Sequence, residues 1–148
     1  MWRYVKAYLG AVLITYVVGA VAITQVNLAS LQAMGASVDF VTRLSASLSD
    51  LQGLVMPYFA LVAIALLIGF AVTGQISRFF PLHRWWLYPL AGLVALIAMH
   101  LILKAVIGLW GVAGARPLLG LVLQGLAGLL GGWLYARMSR RPNTIFID

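Results

Sequence analysis

Four long apolar runs constrain this chain more than any other feature. They cover about 5–24, 54–73, 86–108 and 117–136 of the sequence. A helix rises about 1.5 Å per residue, so each run is long enough to cross the roughly 30 Å hydrocarbon core of a bilayer. Only 9% of the residues are charged, whereas about a quarter are charged in soluble domains. The sequence therefore predicts an all-α membrane protein with four transmembrane helices in one bundle.

We expect residues 1–148 to form a single membrane domain, because no internal repeat or low-complexity linker divides them. The first run raises the question of a signal peptide, since Ala20 and Ala22 flank a small-x-small cleavage pattern after a basic start. The run is longer than the apolar core of a typical signal peptide. We therefore expect an uncleaved span.

The segment 25–53 is predicted to lie on the extracytoplasmic side and to contain a short amphipathic helix. Its apolar residues recur every three or four positions: Val41, Leu44, Leu48 and Leu51. Ser37 is a candidate N-cap, and Asp39 and Arg43 have the spacing of an i,i+4 ion pair. Such a helix lies on the membrane surface, closes the bundle mouth as a lid, or simply connects two spans and covers the bundle end.

The distribution of basic residues predicts the orientation. Two of them, Arg43 and Arg116, fall on one side of the predicted membrane. The other side carries a larger set: Arg3, Lys6, Arg78, Arg84, Arg137, Arg140 and Arg141. Under the positive-inside rule, both termini, the loop 74–85 and the tail 137–148 lie in the cytoplasm. The expected location is the inner membrane of a bacterial-type cell.

A cluster of polar residues within the spans is the candidate functional site. His100 and Lys104 lie inside the third run, four residues apart, and so share one helix face. Counted at 1.5 Å per residue, His100, Gln124 and Tyr16 each lie about 11 to 12 Å below the outer boundary, and Lys104 and Tyr58 lie closer to it. Polar side chains at this depth in a bilayer are energetically costly, so they indicate a structural or functional role. They form a small ligand-binding pocket, a path for protons or ions, or hydrogen bonds that only hold helices together.

Two spans also carry faces of small residues, which let helices approach closely in lipid. On the first span these residues recur every four positions: Ala7, Ala11, Thr15 and Gly19. The fourth span has a similar face, formed by Gly120, Gly128 and Gly132 around Gln124. We expect one face to pack within the chain and the other to remain for a partner or a second copy.

The composition argues against several classes of function. Cysteine and glutamate are absent, and the three aspartates, Asp39, Asp50 and Asp148, lie outside the middle of the apolar runs. No metal site, catalytic residue or cofactor is predicted. One intramembrane histidine supplies a single axial ligand per chain, so heme is a minor alternative, as is quinone. The basic residues form no stripe that would follow phosphates, so nucleic acid is not an expected partner.

These observations favour a non-enzymatic interaction or small-ligand-binding subunit of the membrane. Its expected partners are membrane lipids and another membrane protein or a second copy of itself in a homo-oligomer. A carrier of small solutes or ions, working as an oligomer, is the alternative. A lipid-processing enzyme that uses His100 as a base and Lys104 on a phosphate is a weaker one, because no carboxylate orients the histidine.

Overall fold

The computed structural model describes residues 2–80, 83–107 and 118–139, and no β strand occurs in these ranges. Four stretches are long and apolar enough to cross a membrane, which confirms the prediction of four spanning helices. The elements in chain order are α1 (Trp2–Ala33), α2 (Phe40–Gly53), a π-helical turn (Val55–Phe59), α3 (Ala60–Phe79), α4 (Arg84–Ile107) and α5 (Leu118–Met138).

Several predicted features lie outside the described residues. They are Arg116, the last residue of the third run (108), the first residue of the fourth run (117) and the part of the tail from 140 to 148 with Arg140, Arg141 and Asp148.

The four long helices run alternately up and down. The start of α1 meets the end of α5, where Arg3 Nε donates to the Met138 carbonyl oxygen at 3.0 Å. We call this the termini end of the bundle. The opposite end, where α1 turns back into α2, is the hairpin end. Helix α5 lies between α1 and α4, and α3 packs mainly on α4.

Glycines bring the backbone of α5 into direct contact with α4. A methyl group placed on Gly128 would lie 2.2 Å from the Gly92 carbonyl oxygen, and one placed on Gly132 would lie 2.1 Å from the Tyr88 carbonyl oxygen. Side chains therefore cannot intervene between these two helices. The predicted glycine face of the fourth span is thus occupied by α4 within the chain, and Gly120 is also buried.

A second glycine surface of α5 receives α1. A methyl group on Gly131 would lie 1.9 Å from Thr15 Oγ1 and 3.0 Å from the Ala11 carbonyl oxygen. Thr15 Oγ1 in turn donates to the Ala127 carbonyl oxygen at 3.4 Å. The small-residue stripe of α1, Ala7 and Gly19 included, is buried. Both small-residue faces are consequently used for packing inside the chain.

The first helix extends well beyond the predicted end of its span at residue 24. It stops at Ala33, where Gly35 takes a φ of 94°, a left-handed conformation that favours glycine. The Ala36 amide closes the helix end by donating to the Leu31 carbonyl oxygen at 3.1 Å. The chain then reverses, and α2 runs back along the last turns of α1.

Polar contacts hold α2 against α1. Thr24 Oγ1 donates to Asp50 Oδ2 at 2.7 Å, and Gln25 Nε2 donates to Ser47 Oγ at 3.1 Å. Arg43 donates to Gln25 Oε1 at 2.8 Å and to Gln32 Oε1 at 2.7 Å. Arg43, Ser47 and Asp50 of α2 therefore face the bundle.

Two local predictions for this helix were wrong. The N-cap is Asp39, not Ser37, because Asp39 Oδ1 accepts from the Thr42 amide at 2.9 Å. Hydrogen bonding to the Thr42 side chain and backbone holds the pKa of Asp39 below its usual value. Arg43 makes no ion pair with Asp39 in the described part of the chain, since the two glutamines hold its guanidinium group.

The helix contacts predict unequal effects of adding a methyl group on neighbouring glycines of α5. Gly128→Ala forces the new carbon against backbone, so we expect a loss of about 1 to 3 kcal/mol in unfolding free energy. Gly125→Ala is the matched control, because the atoms nearest its methyl group belong to side chains, Ile97 Cδ1 at 3.1 Å and Leu93 Cγ at 3.5 Å, and not to the backbone. Unfolding in mixed detergent micelles measures both. Equal stabilities of the two variants would contradict the backbone contact.

Candidate functional site

Four of the five predicted polar residues lie side by side in the hairpin-end half of the bundle. Tyr16, Tyr58, His100 and Gln124 come from α1, the π-helical turn, α4 and α5, and all four are buried. The ring centroids of Tyr16 and Tyr58 are 5.9 Å apart, and those of Tyr58 and His100 are 6.5 Å apart. We call these four residues the polar cluster.

Gln124 is the hub of the polar cluster. Its Nε2 donates to the Gly19 carbonyl oxygen at 2.9 Å, and its Oε1 accepts from the Tyr58 hydroxyl. Gly19 must lack a side chain here, since a methyl group would lie 2.2 Å from the Tyr58 hydroxyl oxygen and 2.9 Å from Gln124 Oε1. One side chain thereby joins three separate segments of the chain.

The π-helical turn places Tyr58 in the polar cluster. The Phe59 amide donates to the Leu54 carbonyl oxygen at 3.4 Å, the i to i−5 bond of a π-bulge. The extra residue in the turn shifts the register of the helix, so that Tyr58 points inward and is 1% exposed. Sequence reasoning missed this bulge, for which Pro57 within it is the available signal.

Tyr16 ties the cluster to the end of α2. Its hydroxyl donates to the Leu51 carbonyl oxygen, and its ring meets the Phe59 ring edge-on at a centroid distance of 5.4 Å. This donor is therefore bound to the protein backbone, as is one amide donor of Gln124.

His100 retains one free ring nitrogen. Its Nδ1 lies 2.8 Å from the Leu96 carbonyl oxygen, so Nδ1 carries the proton of this hydrogen bond. Its Nε2 is buried and has no hydrogen-bond partner among the described residues. In the described part of the chain it is the one buried polar side-chain atom of the polar cluster that makes no hydrogen bond.

Lys104 does not join the polar cluster. It lies exposed in the last turn of α4, one turn beyond His100 towards the hairpin end. The cation is therefore separated from the buried phenol, amide and imidazole groups. These groups can exchange hydrogen bonds with one another but carry no fixed charge.

A second group of polar and aromatic residues lies at the termini end, and sequence reasoning missed it. Arg84 Nη2 donates to Ser139 Oγ at 2.7 Å, and the guanidinium carbon lies 5.1 Å from the centre of the Tyr88 ring. Tyr135 stacks on Phe70 with a centroid distance of 4.5 Å. The sequence shows several aromatic residues close to Arg84. It does not show that aromatic residues from three different helices come into contact there.

An apolar layer separates the two polar groups. Val12, Val62, Leu66 and Leu96 are at most 1% exposed. Val62 and Leu66 lie along the chain between Tyr58 and Phe70, Leu96 lies between Tyr88 and His100, and Val12 lies one turn of α1 from Tyr16. Two hydroxyl groups at this level are bound to the backbone: Thr15 Oγ1 donates to the Ala127 carbonyl oxygen at 3.4 Å, and the Tyr8 hydroxyl donates to the Ala63 carbonyl oxygen at 2.6 Å. Apolar side chains thus separate the two polar groups in the described interior.

A different feature lies on the lipid-facing surface between α3 and α4. There the two helices touch at Gly69, where a methyl group would lie 3.1 Å from Ala95 Cβ. Beside this contact runs a groove of about 540 Å³, which we call the α3–α4 groove. Its floor contains small residues: Ala65, Gly69, Ala91, Ala95 and Ala98. None of the four cluster residues lines it.

No protein-family model, curated protein or solved structure matches this chain.

The hydrogen bond between Tyr58 and Gln124 can be measured as a coupling energy. We expect Tyr58→Phe and Gln124→Leu each to destabilise the bundle, because each leaves a buried polar partner unsatisfied. The double variant should lose less than the sum of the two, by about 0.6 to 1.7 kcal/mol, the range found for hydrogen bonds between membrane helices. Unfolding in mixed micelles gives all three values. Strictly additive losses would show that the two side chains do not interact.

Proposed function

We propose that the protein is a non-enzymatic subunit of a membrane assembly, and that it binds a transmembrane helix of its partner in the α3–α4 groove. The groove carries this proposal. It is apolar along its length and has the small-residue floor that permits close helix approach in lipid. The glycine faces of α5, by contrast, are already occupied inside the chain.

The dimensions of the groove support a helix as its occupant. On α3 its lining runs from Leu61 to Thr73, and on α4 from Leu87 to Leu103. At 1.5 Å per residue these stretches are about 18 and 24 Å long, more than half the thickness of a bilayer core. Large apolar side chains of a partner helix can enter beside the alanines, because van der Waals packing drives association in lipid.

The hydrogen bonds that the polar cluster makes inside the chain support a structural role for it. Each of its four members donates a hydrogen bond inside the chain, and Gln124 and His100 are fully buried. Hydrogen bonds of this kind join helices without binding a ligand. In the proposed function the polar cluster fixes the bundle that presents the groove.

We also propose that the termini end faces the cytoplasm and that the membrane is the inner membrane of a bacterial-type cell. The basic residues of the described helices support this orientation. Arg43 and Lys104 lie towards the hairpin end, and the basic residues at the other end are Arg3, Lys6, Arg78, Arg84 and Arg137. With this orientation α2 is an extracytoplasmic helix.

A carrier of small solutes or ions remains the second candidate, and the free Nε2 of His100 favours it. A carrier must open a path through the apolar layer, so it needs a second conformation. Flux in liposomes that depends on both His100 and Gln124 would distinguish a carrier from the proposed subunit.

Photo-crosslinking tests the proposed occupant of the groove. The chain has no cysteine, so Ala98→Cys places a single thiol in the groove for a benzophenone maleimide. Irradiation in native membranes should yield a protein adduct larger than the 16.0 kDa chain. The adduct mass distinguishes a second copy from a different polypeptide.

Leu126→Cys is the matched control, because this residue is 46% exposed on α5, away from the groove. Its label should give lipid adducts only. Lipid adducts alone at both positions would overturn the proposal.

A further inference from the structure

Helix α2 has three chemically different faces. One face carries Arg43, Ser47 and Asp50, which contact α1. A second, exposed face is polar and uncharged: Thr42, Ser45, Ser49 and Gln52. The third is an exposed apolar face, which we call the α2 stripe, formed by Phe40, Val41, Leu44 and Leu48, which are 78, 70, 54 and 55% exposed.

The α2 stripe carries no charge because the two charged residues within the helix are turned towards α1. In water, a short helix docked on a bundle buries its apolar face and exposes its charged one. Helix α2 does the reverse: Arg43 and Asp50 are hydrogen-bonded against α1, while Leu44 and Leu48 remain exposed. This arrangement requires an apolar medium around the stripe.

The position of α2 on α1 shows which medium this is. Leu9, Leu13 and Val17 recur every four residues on one exposed face of α1, the face expected to meet lipid. The same face continues to Thr24, which is buried and donates to Asp50. Helix α2 therefore occupies the lipid-facing flank of α1, and its outer surface continues the lipid-facing surface of the bundle.

The depth of α2 follows from the length of α1. Counted from Lys6 at 1.5 Å per residue, Thr24 lies about 27 Å and Gln32 about 39 Å along the helix. The hydrocarbon core is about 30 Å thick, and the bilayer with its headgroups about 40 to 45 Å. Because α2 is bonded to α1 between these two levels, it lies beside the lipid headgroups and the first part of the acyl chains.

We propose that the α2 stripe is a lipid-binding surface seated at the boundary of headgroups and acyl chains in the leaflet at the hairpin end. The contact is apolar, since the stripe has no basic residue to attract anionic headgroups. The polar face with Ser49 then points to water. The inference rests on the membrane-spanning role proposed above, but neither on the sidedness of the bundle nor on the occupant of the α3–α4 groove.

Nitroxide labels on single cysteines test this proposal in vesicles of phosphatidylcholine. Leu44→Cys and Leu48→Cys place the label on the stripe, and Ser49→Cys places it on the polar face of the same helix. We expect the two stripe labels to be relaxed more by oxygen, which concentrates in lipid, than by a water-soluble nickel chelate. The Ser49→Cys label should show the opposite preference.

Three results would overturn the proposal. Nickel accessibility at the stripe equal to that at Ser49→Cys would place the stripe in water. Inaccessibility of the stripe labels to both reagents would show that protein covers it. A several-fold change in accessibility on adding anionic phosphatidylglycerol would show that charge, and not the apolar stripe, sets the contact. The crosslinking result at the groove is independent of all three.

Discussion

Backbone contact through glycine holds α5 between α1 and α4, and the rest of the bundle depends on it. In lipid, burying an apolar side chain against another helix gains little over leaving it in contact with acyl chains, so close van der Waals packing must supply the attraction. Gly128 and Gly132 provide this contact on one side of α5, and Gly131 on the other. Because the backbones are this close, Gln124 reaches the Gly19 carbonyl oxygen of α1 while its own helix also contacts α4.

With this packing, the polar groups in the described interior are hydrogen-bonded to one another, whereas apolar surfaces on the outside of the bundle remain uncovered. Inside, amide and phenol groups bind one another, and an apolar layer with Leu66 and Leu96 separates them from the arginine and tyrosines at the termini end. Outside, the α3–α4 groove and the α2 stripe are exposed apolar surfaces. At these surfaces, and not in the core, we propose that the protein binds its neighbours.

Much of this architecture could be predicted from the sequence, because length and hydropathy determine spanning helices in lipid. The constant rise of a helix also assigned Tyr16, His100 and Gln124 to one level, and the structure has them side by side. The pairing of surfaces was harder. Spacing identified the glycine face with Gly128, but its partner depends on how helices cross, which spacing does not encode. The structure pairs it with Gly92.

Local backbone features also escaped prediction. The π-bulge at Pro57 rotates Tyr58 inward, and no sequence period signals one inserted residue. For helix α2, the spacing of Leu44 and Leu48 was evident in the sequence. The sequence did not show which face of this helix would meet α1, because that depends on the hydrogen-bond partners that Gln25 and Gln32 offer to Arg43. The spacing of residues shows which side chains share a face of a helix, but the contacts offered by the neighbouring helix determine which face packs against it.

The most direct test of this account is the contact between glycine backbones, measured by nuclear Overhauser effects in bicelles with selectively labelled glycine. The account predicts cross-peaks between the α-protons of Gly92 and Gly128, and between Gly131 and Thr15. Cross-peaks from Gly92 and Gly128 to lipid acyl protons, with none between the two residues, would contradict it.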